Sequence, residues 1–196
     1  TEMGGKNAII VTANAELDET VAGILYSSFA HAGQKCSAAS RVIVHESILN
    51  KLAQRLSQAI NDLQVGKSWD LATFVNPVIS KEDQDRLRQQ VKEAIQEANE
   101  YGGRVWVDRS CEDLPGYCVG PVLIQLPAVR CRAQESFSQR ELFGPVIHLI
   151  GFSNLEQSVE LFNQTNYALT GGVFGQSQDD IDYLTKHMEC GNLYVN

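Results

Sequence analysis

Two short segments of this sequence each combine a reactive side chain with glycine. Cys36 lies in A-G-Q-K-C-S-A-A-S-R, residues 32–41, and Glu2 opens E-M-G-G-K-N, residues 2–7. A thiolate can attack a carbonyl carbon, and a carboxylate can activate the water that later releases the acyl group. The pair therefore indicates a site for covalent acyl transfer.

The immediate neighbours of Cys36 favour a reactive thiol. Gly33 permits a tight turn, and the backbone N–H groups near Cys36 could then stabilise an oxyanion on the attacked carbonyl. Taken singly, Cys36 could be a packing residue and Glu2 a surface acid, but the combination favours catalysis. The remaining cysteines are predicted to be core or near-surface filler: Cys111, Cys118, Cys131 and Cys190.

The composition is that of a globular protein and argues against several functions. The 196 residues are 43% hydrophobic and carry a net charge of −8, and the absence of a basic stripe argues against nucleic acid as a partner. The five cysteines form no C-x-x-C pair, so we predict no metal site and a reducing, cytoplasmic location. No apolar run approaches the ~18 residues of a membrane span. The sequence starts within a motif and without an initiator Met, so we expect a piece of a longer protein.

The elements that must position these side chains alternate between short apolar runs and helical periods. We predict helices over residues 17–32, 48–63, 80–101, 153–163 and 178–188, with a capping box formed by Ser153 and Glu156. We predict strands over residues 7–12, 41–45, 105–107, 122–124, 145–150, 169–174 and 192–196. Strands that are apolar on both faces favour an α/β fold, with a mainly parallel sheet flanked by helices on both faces, and a single domain over residues 1–196.

A third segment, E-L-F-G-P-V at residues 141–146, completes the chemical pattern. The three segments, in this order, resemble the active-site motifs of the aldehyde dehydrogenase superfamily. Residues 166–174 and 191–196 resemble two further segments of that family. The resemblance covers the whole chain, and it implies that Cys36 is the nucleophile and that Glu2 activates water.

The resemblance also implies the cofactor and its contacts. NAD is the expected cofactor, with Glu141 binding the hydroxyls of the nicotinamide ribose and Phe143 packing near the nicotinamide. A carboxylate suits that role because it can accept hydrogen bonds from both hydroxyls. The family places the rest of NAD on an N-terminal domain that the sequence does not contain, so the isolated chain is expected to be inactive.

Within the superfamily, the segments G-G-K-N-A, G-Q-K-C-S and C-G-N-L-Y-V-N most resemble L-glutamate γ-semialdehyde (1-pyrroline-5-carboxylate) dehydrogenases of proline and arginine catabolism. In that subgroup, a hydroxyl in the position of Ser37 meets the polar end of the small-molecule aldehyde. The resemblance also implies a homo-oligomer, and it admits a parent fused behind a flavin-dependent proline dehydrogenase. The alternatives are another semialdehyde dehydrogenase of the superfamily and a non-catalytic domain of the same fold, kept for structure or oligomerisation.

Overall fold

The structure, a computed structural model, describes residues 3–196 and contains one seven-stranded sheet. Its order is β3-β4-β5-β2-β1-β6-β7, and every neighbouring pair is parallel except β3 and β4. The strands are β1 (Asn7–Val11), β2 (Ala39–His45), β3 (Arg104–Asp108), β4 (Val122–Leu126), β5 (Val146–Phe152), β6 (Thr170–Phe174) and β7 (Asn192–Val195). The predicted α/β fold with a mainly parallel sheet is confirmed.

Helices cover both faces of this sheet. They are α1 (Leu17–Phe29), α2 (Glu46–Asp62), α3 (Lys81–Glu100), α4 (Ala128–Cys131), α5 (Leu155–Asn163) and α6 (Gln178–His187). On β6, the ring of Phe174 packs against Gly23 of α1, whereas Gly171 faces Phe162 of α5. Residues an odd number apart on a strand point to opposite faces, so α1 and α5 lie on opposite sides of the sheet. None of the helices in residues 3–196 is long and apolar enough to cross a bilayer.

The first helix is shorter than predicted. It ends at Phe29 and is followed by a 3-10 segment, Ala30–Gly33, although its apolar period continues to residue 32. His31 and Ala32 both adopt a left-handed backbone with φ of 56°. A right-handed helix cannot continue through such residues, so the chain turns before it reaches the cysteine.

The predicted capping box before α5 is displaced by one residue. Asn154, not Ser153, is the N-cap, and its side chain accepts a hydrogen bond from the backbone N–H of Gln157. The side chain of Gln157 in turn accepts from the N–H of Ser153 at 2.8 Å. Asn and Ser are comparable N-cap residues, so composition alone did not distinguish the two registers. The short helix α4 was not predicted either, because four residues carry too little periodicity to detect.

The three segments singled out in the sequence meet at one edge of the sheet. Residues 3–6 lead into β1, the Cys36 turn leads into β2, and residues 141–145 lead into β5. These strands are adjacent and parallel in the order β5-β2-β1, so their amino ends lie together. Ligands of open parallel sheets usually bind at the carboxyl edge, and here the candidate chemistry gathers at the opposite edge.

Candidate active site

Cys36 lies in a tight turn between the 3-10 segment and β2. The turn is closed by the N–H of Ala38, which donates to the carbonyl of Lys35 at 2.9 Å. Cys36 is exposed and forms no disulfide. The sequence left open whether Cys36 follows a helix or begins the next element, and the structure places it in the connection between the two.

Glu141 contacts the glycine segment that follows Glu2 along the chain. Its Oε1 atom accepts a hydrogen bond from the N–H of Gly5 at 2.8 Å. A Cβ atom on Gly4 would lie 2.7 Å from Oε2 of the same carboxylate, which is closer than real side chains approach. The sequence assigned Glu141 only to the cofactor, and the structure adds a contact that orders the residues next to Glu2.

Phe143 projects from a loop that packs against the turn before Cys36. Its φ is 57° and its side chain is 38% exposed. The following residue, Gly144, approaches Gly33 so closely that a Cβ on Gly33 would lie 2.4 Å from the Gly144 carbonyl oxygen. Gly33 has a φ of 67°, so both its conformation and its surroundings require glycine.

The base of the same loop is held by helix α3. Nη1 of Arg86 donates to the carbonyl of Leu142 at 2.7 Å, and Leu142 itself is buried. A loop fixed at its base can present Phe143 in a strained left-handed conformation. The sequence gave no signal for this support, because Arg86 lies on a helix whose charges were predicted to be a solvated face.

The Cys36 turn separates two clefts. The larger one has a volume of about 490 Å³ and lies along α1 and the start of β6, with Ser37 in its wall. The smaller one is lined by Gly5, Glu141 and Phe143. Lys35 and Ala38, which close the turn, border both clefts. Cys36 itself lines neither cleft, but its neighbours in the turn border both.

Beneath the site lies a group of buried polar side chains. Arg41, which is 1% exposed, donates from all three guanidinium nitrogens to backbone carbonyls: Nε to Lys6 at 2.8 Å, Nη1 to Leu161 at 2.7 Å and Nη2 to Phe162 at 3.0 Å. The last two carbonyls lie near the C-terminus of α5, where the helix dipole favours a cation. Burial lowers the pKa of Arg41 to about 10, which still leaves it charged at neutral pH.

Lys6 and His148 share this interior with Arg41. Burial, and next the charge of Arg41, lower the pKa of Lys6 to about 7. Burial also lowers the pKa of His148, with the charges of Lys6 and Arg41 adding to the effect, and its Nε2 lies 2.9 Å from the hydroxyl of Ser138. His148 is therefore neutral and has no path to Cys36 as a base.

The other cysteines differ from Cys36 in their surroundings. Cys118 and Cys131 are buried, and burial raises the pKa of both thiols, that of Cys131 to about 11. Cys190 is partly buried, and burial raises its thiol pKa as well. Cys111 is exposed. It follows β3, whose end pairs with the start of β4, so it lies on the same edge of the sheet but beyond β5 and β4 in the strand order.

The base predicted in the sequence, Glu2, lies outside the described residues. Within residues 3–196, the Cys36 turn, which includes Ser37, lies beside the cleft that Glu141 and Phe143 line. Within the same range, no three His, Cys, Asp or Glu side chains are grouped as a metal site would require. The chemical roles of the site residues stay predictions.

The chain matches a known protein family over its whole length. The aldehyde dehydrogenase family matches residues 1–196, and the chain belongs to that family. Among its relatives, the 1-pyrroline-5-carboxylate dehydrogenase of Staphylococcus haemolyticus is 33% identical over 195 residues, which cover 100% of this chain and 36% of the relative. The enzyme of that name from Staphylococcus aureus is 32% identical over 196 residues, again 36% of its length.

Solved structures also include proteins that are similar to this chain over nearly its whole length. Proline utilization A from Bdellovibrio bacteriovorus, inactivated by N-propargylglycine, superposes with a TM-score of 0.88 at 37% identity, over 99% of this chain and 19% of that one. 1-Pyrroline-5-carboxylate dehydrogenase from Thermus, with bound NAD, has a TM-score of 0.88 at 29% identity, over 98% of this chain and 35% of that one. The chain thus spans about a third of the length of the curated relatives it matches.

Proposed function

We propose that this chain is the cysteine-bearing catalytic domain of an NAD-dependent aldehyde dehydrogenase that oxidises L-glutamate γ-semialdehyde to glutamate. The observation that carries the proposal is the exposed Cys36, held in a turn between a cleft walled by Ser37 and a cleft bordered by Glu141 and Phe143. An oxidation of this kind needs substrate and oxidant on two sides of one nucleophile. The two clefts, which meet at Lys35 and Ala38 on the Cys36 turn, support that arrangement.

In the proposed reaction, Sγ of Cys36 as a thiolate attacks the aldehyde carbon and forms a hemithioacetal. The backbone N–H of Cys36 donates to the oxygen that develops negative charge. Loss of a hydride from the same carbon leaves a thioester on Cys36. The aldehyde carbon is thereby oxidised by two electrons while the thiol remains bonded to it.

Glu2 completes the reaction by removing a proton from water, which attacks the thioester carbon. The C–S bond breaks, the carboxylic acid leaves, and Cys36 returns as a thiolate. One water is consumed for each aldehyde oxidised. The hydrogen bond from Gly5 to Glu141 belongs to the same glycine segment that follows Glu2 along the chain.

NAD, when bound, supplies the two-electron oxidant. The residues of the smaller cleft suit it, because Glu141 offers carboxylate oxygens to sugar hydroxyls and Phe143 offers an exposed ring to a planar group. Oε1 of Glu141 already accepts from Gly5, so Oε2 is the better placed acceptor. The adenosine and phosphates would bind an N-terminal domain of the longer protein.

Ser37 is proposed to select the substrate. It lies in the wall of the 490 Å³ cleft beside the nucleophile, and a hydroxyl there can hydrogen-bond the polar end of a short semialdehyde. The relatives named 1-pyrroline-5-carboxylate dehydrogenase and the similarity to proline utilization A support glutamate semialdehyde over other semialdehydes. They also support a longer parent, oligomeric and in one arrangement fused to a proline dehydrogenase.

The test is NADH formation by the full-length protein that contains this sequence. We expect glutamate γ-semialdehyde to be oxidised with a higher kcat/KM than succinate semialdehyde or simple alkanals. Cys36→Ala should abolish NADH formation, whereas Cys111→Ala, which removes the other exposed thiol, should retain the wild-type rate. Activity in Cys36→Ala would contradict the proposal, and a preference for another aldehyde would contradict only the substrate.

Two further measurements separate catalysis from a structural role. Glu2→Gln should release one NADH per site and then stall, because the thioester forms but is not hydrolysed. Iodoacetamide should alkylate Cys36 faster than Cys111, although both are exposed. Equal alkylation rates, together with no NADH from the wild type, would support the non-catalytic domain instead.

A further inference from the structure

One buried side chain at the start of β1 connects the cysteine turn with the start of β6. Asn7, the first residue of β1, is 4% exposed, and its Nδ2 donates to the carbonyls of Cys36 at 2.7 Å and Ala38 at 2.9 Å. Its Oδ1 accepts from the N–H of Thr170 at 3.0 Å. The side-chain amide therefore uses both of its N–H donors and its oxygen acceptor. Two of these three hydrogen bonds are made to the cysteine turn.

The carbonyl of Cys36 is also confined from the other side. A Cβ atom on Gly5 would lie 2.3 Å from that oxygen, so the glycine backbone packs directly on it. The neighbouring carbonyl of Ser37 accepts from the hydroxyl of Thr170 at 3.4 Å. Three successive carbonyls, at residues 36, 37 and 38, thus point toward the start of β1 and β6.

The direction of these carbonyls decides the direction of the N–H groups. In a planar trans peptide the C=O and N–H point oppositely, so the bond from Asn7 to the Cys36 carbonyl turns the N–H of Ser37 away from β1. The N–H of Cys36 shares its peptide with the carbonyl of Lys35. That carbonyl accepts the hydrogen bond from the N–H of Ala38 that closes the turn, so the N–H of Cys36 points outward. Within residues 3–196, neither N–H has a hydrogen-bond acceptor.

We infer that Asn7 is a positioning residue, which orients the Cys36–Ser37 peptide so that the N–H of Ser37 joins the N–H of Cys36 in receiving the oxyanion formed at Cys36. The inference rests on the proposed function. It adds a role for Asn7, the last residue of the E-M-G-G-K-N segment, to which the sequence analysis assigned none. Asn7 borders the larger cleft, but its amide is engaged by the Cys36 and Ala38 carbonyls and by the N–H of Thr170. It acts through the backbone of the nucleophile.

The test compares two reactions of the same sulfur in the full-length protein. Attack on p-nitrophenyl acetate creates an oxyanion and releases p-nitrophenolate without any need for NAD, whereas alkylation by iodoacetamide creates no oxyanion. Asn7→Asp keeps the size of the side chain but replaces its donors with an acceptor. We expect the p-nitrophenolate burst rate at Cys36 to fall at least ten-fold, in line with loss of an oxyanion donor, while alkylation of Cys36 changes less than three-fold.

A matched control and a milder variant accompany it. Asn163 likewise joins two backbone groups through its amide, donating to the carbonyl of His187 and accepting from the N–H of Glu189, each at 3.0 Å, and neither group belongs to the cysteine turn. Asn163→Asp should leave both rates unchanged. Thr170→Val, which removes only the hydroxyl contact to Ser37, should lower the burst rate two- to five-fold and leave alkylation unchanged, and it keeps the test valid if Asn7→Asp fails to fold.

Several outcomes would overturn the inference. The first is an unchanged p-nitrophenolate burst rate in Asn7→Asp. The second is an equal loss of the burst and alkylation rates in Asn7→Asp, with no effect of Thr170→Val. The third is no acylation of Cys36 in the wild type. A wild type that reacts with the ester as expected but forms no NADH from any aldehyde would refute the proposed function and leave the role of Asn7 supported. The two failures are therefore distinguishable.

Discussion

The backbone N–H of Gly5 donates to Oε1 of Glu141 at 2.8 Å, across the amino edge of three neighbouring strands. One partner belongs to the segment that begins with Glu2, and the other belongs to the loop that carries Phe143. The hydrogen bond therefore joins the glycine segment before β1 to the proposed cofactor loop. A change at Glu141 should affect both.

Two substitutions separate the two proposed functions of Glu141, the contact with NAD and the hydrogen bond to Gly5. Glu141→Gln keeps an oxygen for Gly5 but loses the charge, so we expect a raised KM for NAD with the free energy of unfolding nearly unchanged. Glu141→Ala loses the hydrogen bond as well and should cost a further ~1–2 kcal/mol. Steady-state kinetics and urea unfolding of the two variants check this. If both variants had the same stability, the bond to Gly5 would contribute nothing.

Gly33 offers a test of how closely the cysteine turn and the Phe143 loop must approach. Gly33→Ala places a Cβ 2.4 Å from the Gly144 carbonyl oxygen at a φ of 67°. Gly116 has the same φ of 67° but open space around it, so Gly116→Ala measures backbone strain alone, about 1 kcal/mol. Gly33→Ala should cost clearly more in urea unfolding and should lower the rate of Cys36 acylation. Equal costs would show that the approach is relaxed in solution.

Arg41 should be essential for stability although it lies outside both clefts. Arg41→Met leaves the carbonyls of Lys6, Leu161 and Phe162 without their buried donor, so we expect a loss of at least ~3 kcal/mol in unfolding free energy. Arg41→Lys should recover only part of this, because a point charge cannot reproduce the three-nitrogen fork.

A surface arginine provides the control for Arg41. Arg55 forms an exposed ion pair with Asp18, and exposed pairs contribute under ~1 kcal/mol. Arg55→Met should therefore change the unfolding free energy little. A small effect of Arg41→Met, comparable with that of Arg55→Met, would contradict the buried network described here.

The lowered pKa of Lys6 predicts that the free energy of unfolding depends on pH. Because burial and the charge of Arg41 lower its folded-state pKa from 10.5 to about 7, the unfolded chain binds more protons between those two values. Its contribution to stability therefore rises as pH rises from about 7 to 10.5, with a slope of at most ~1.4 kcal/mol per pH unit. Lys6→Met should flatten the unfolding free energy over that range relative to the wild type. Parallel pH profiles for the two proteins would contradict the shift.

The secondary-structure elements were largely predictable from the sequence. β-Branched runs marked the strands and the apolar period marked α2 and α3, while the three motifs singled out Cys36, Glu2 and Glu141, whose chemical roles stay predictions. These features are local, because each depends on residues within one turn or one strand. The same reasoning failed where the local signal was ambiguous, as at the end of α1 and at the cap of α5.

The sequence by itself determined which residues could react and the order of strands and helices that carries them. Only the tertiary structure decided that β5, β2 and β1 are neighbours, since chain order does not specify strand order. That adjacency places Glu141 on Gly5, sets Asn7 against the Cys36 turn, and encloses Arg41 among three backbone carbonyls. Such bonds join side chains to backbone far apart in the chain, and a backbone group has the same chemistry in every residue, so no residue pattern reveals them.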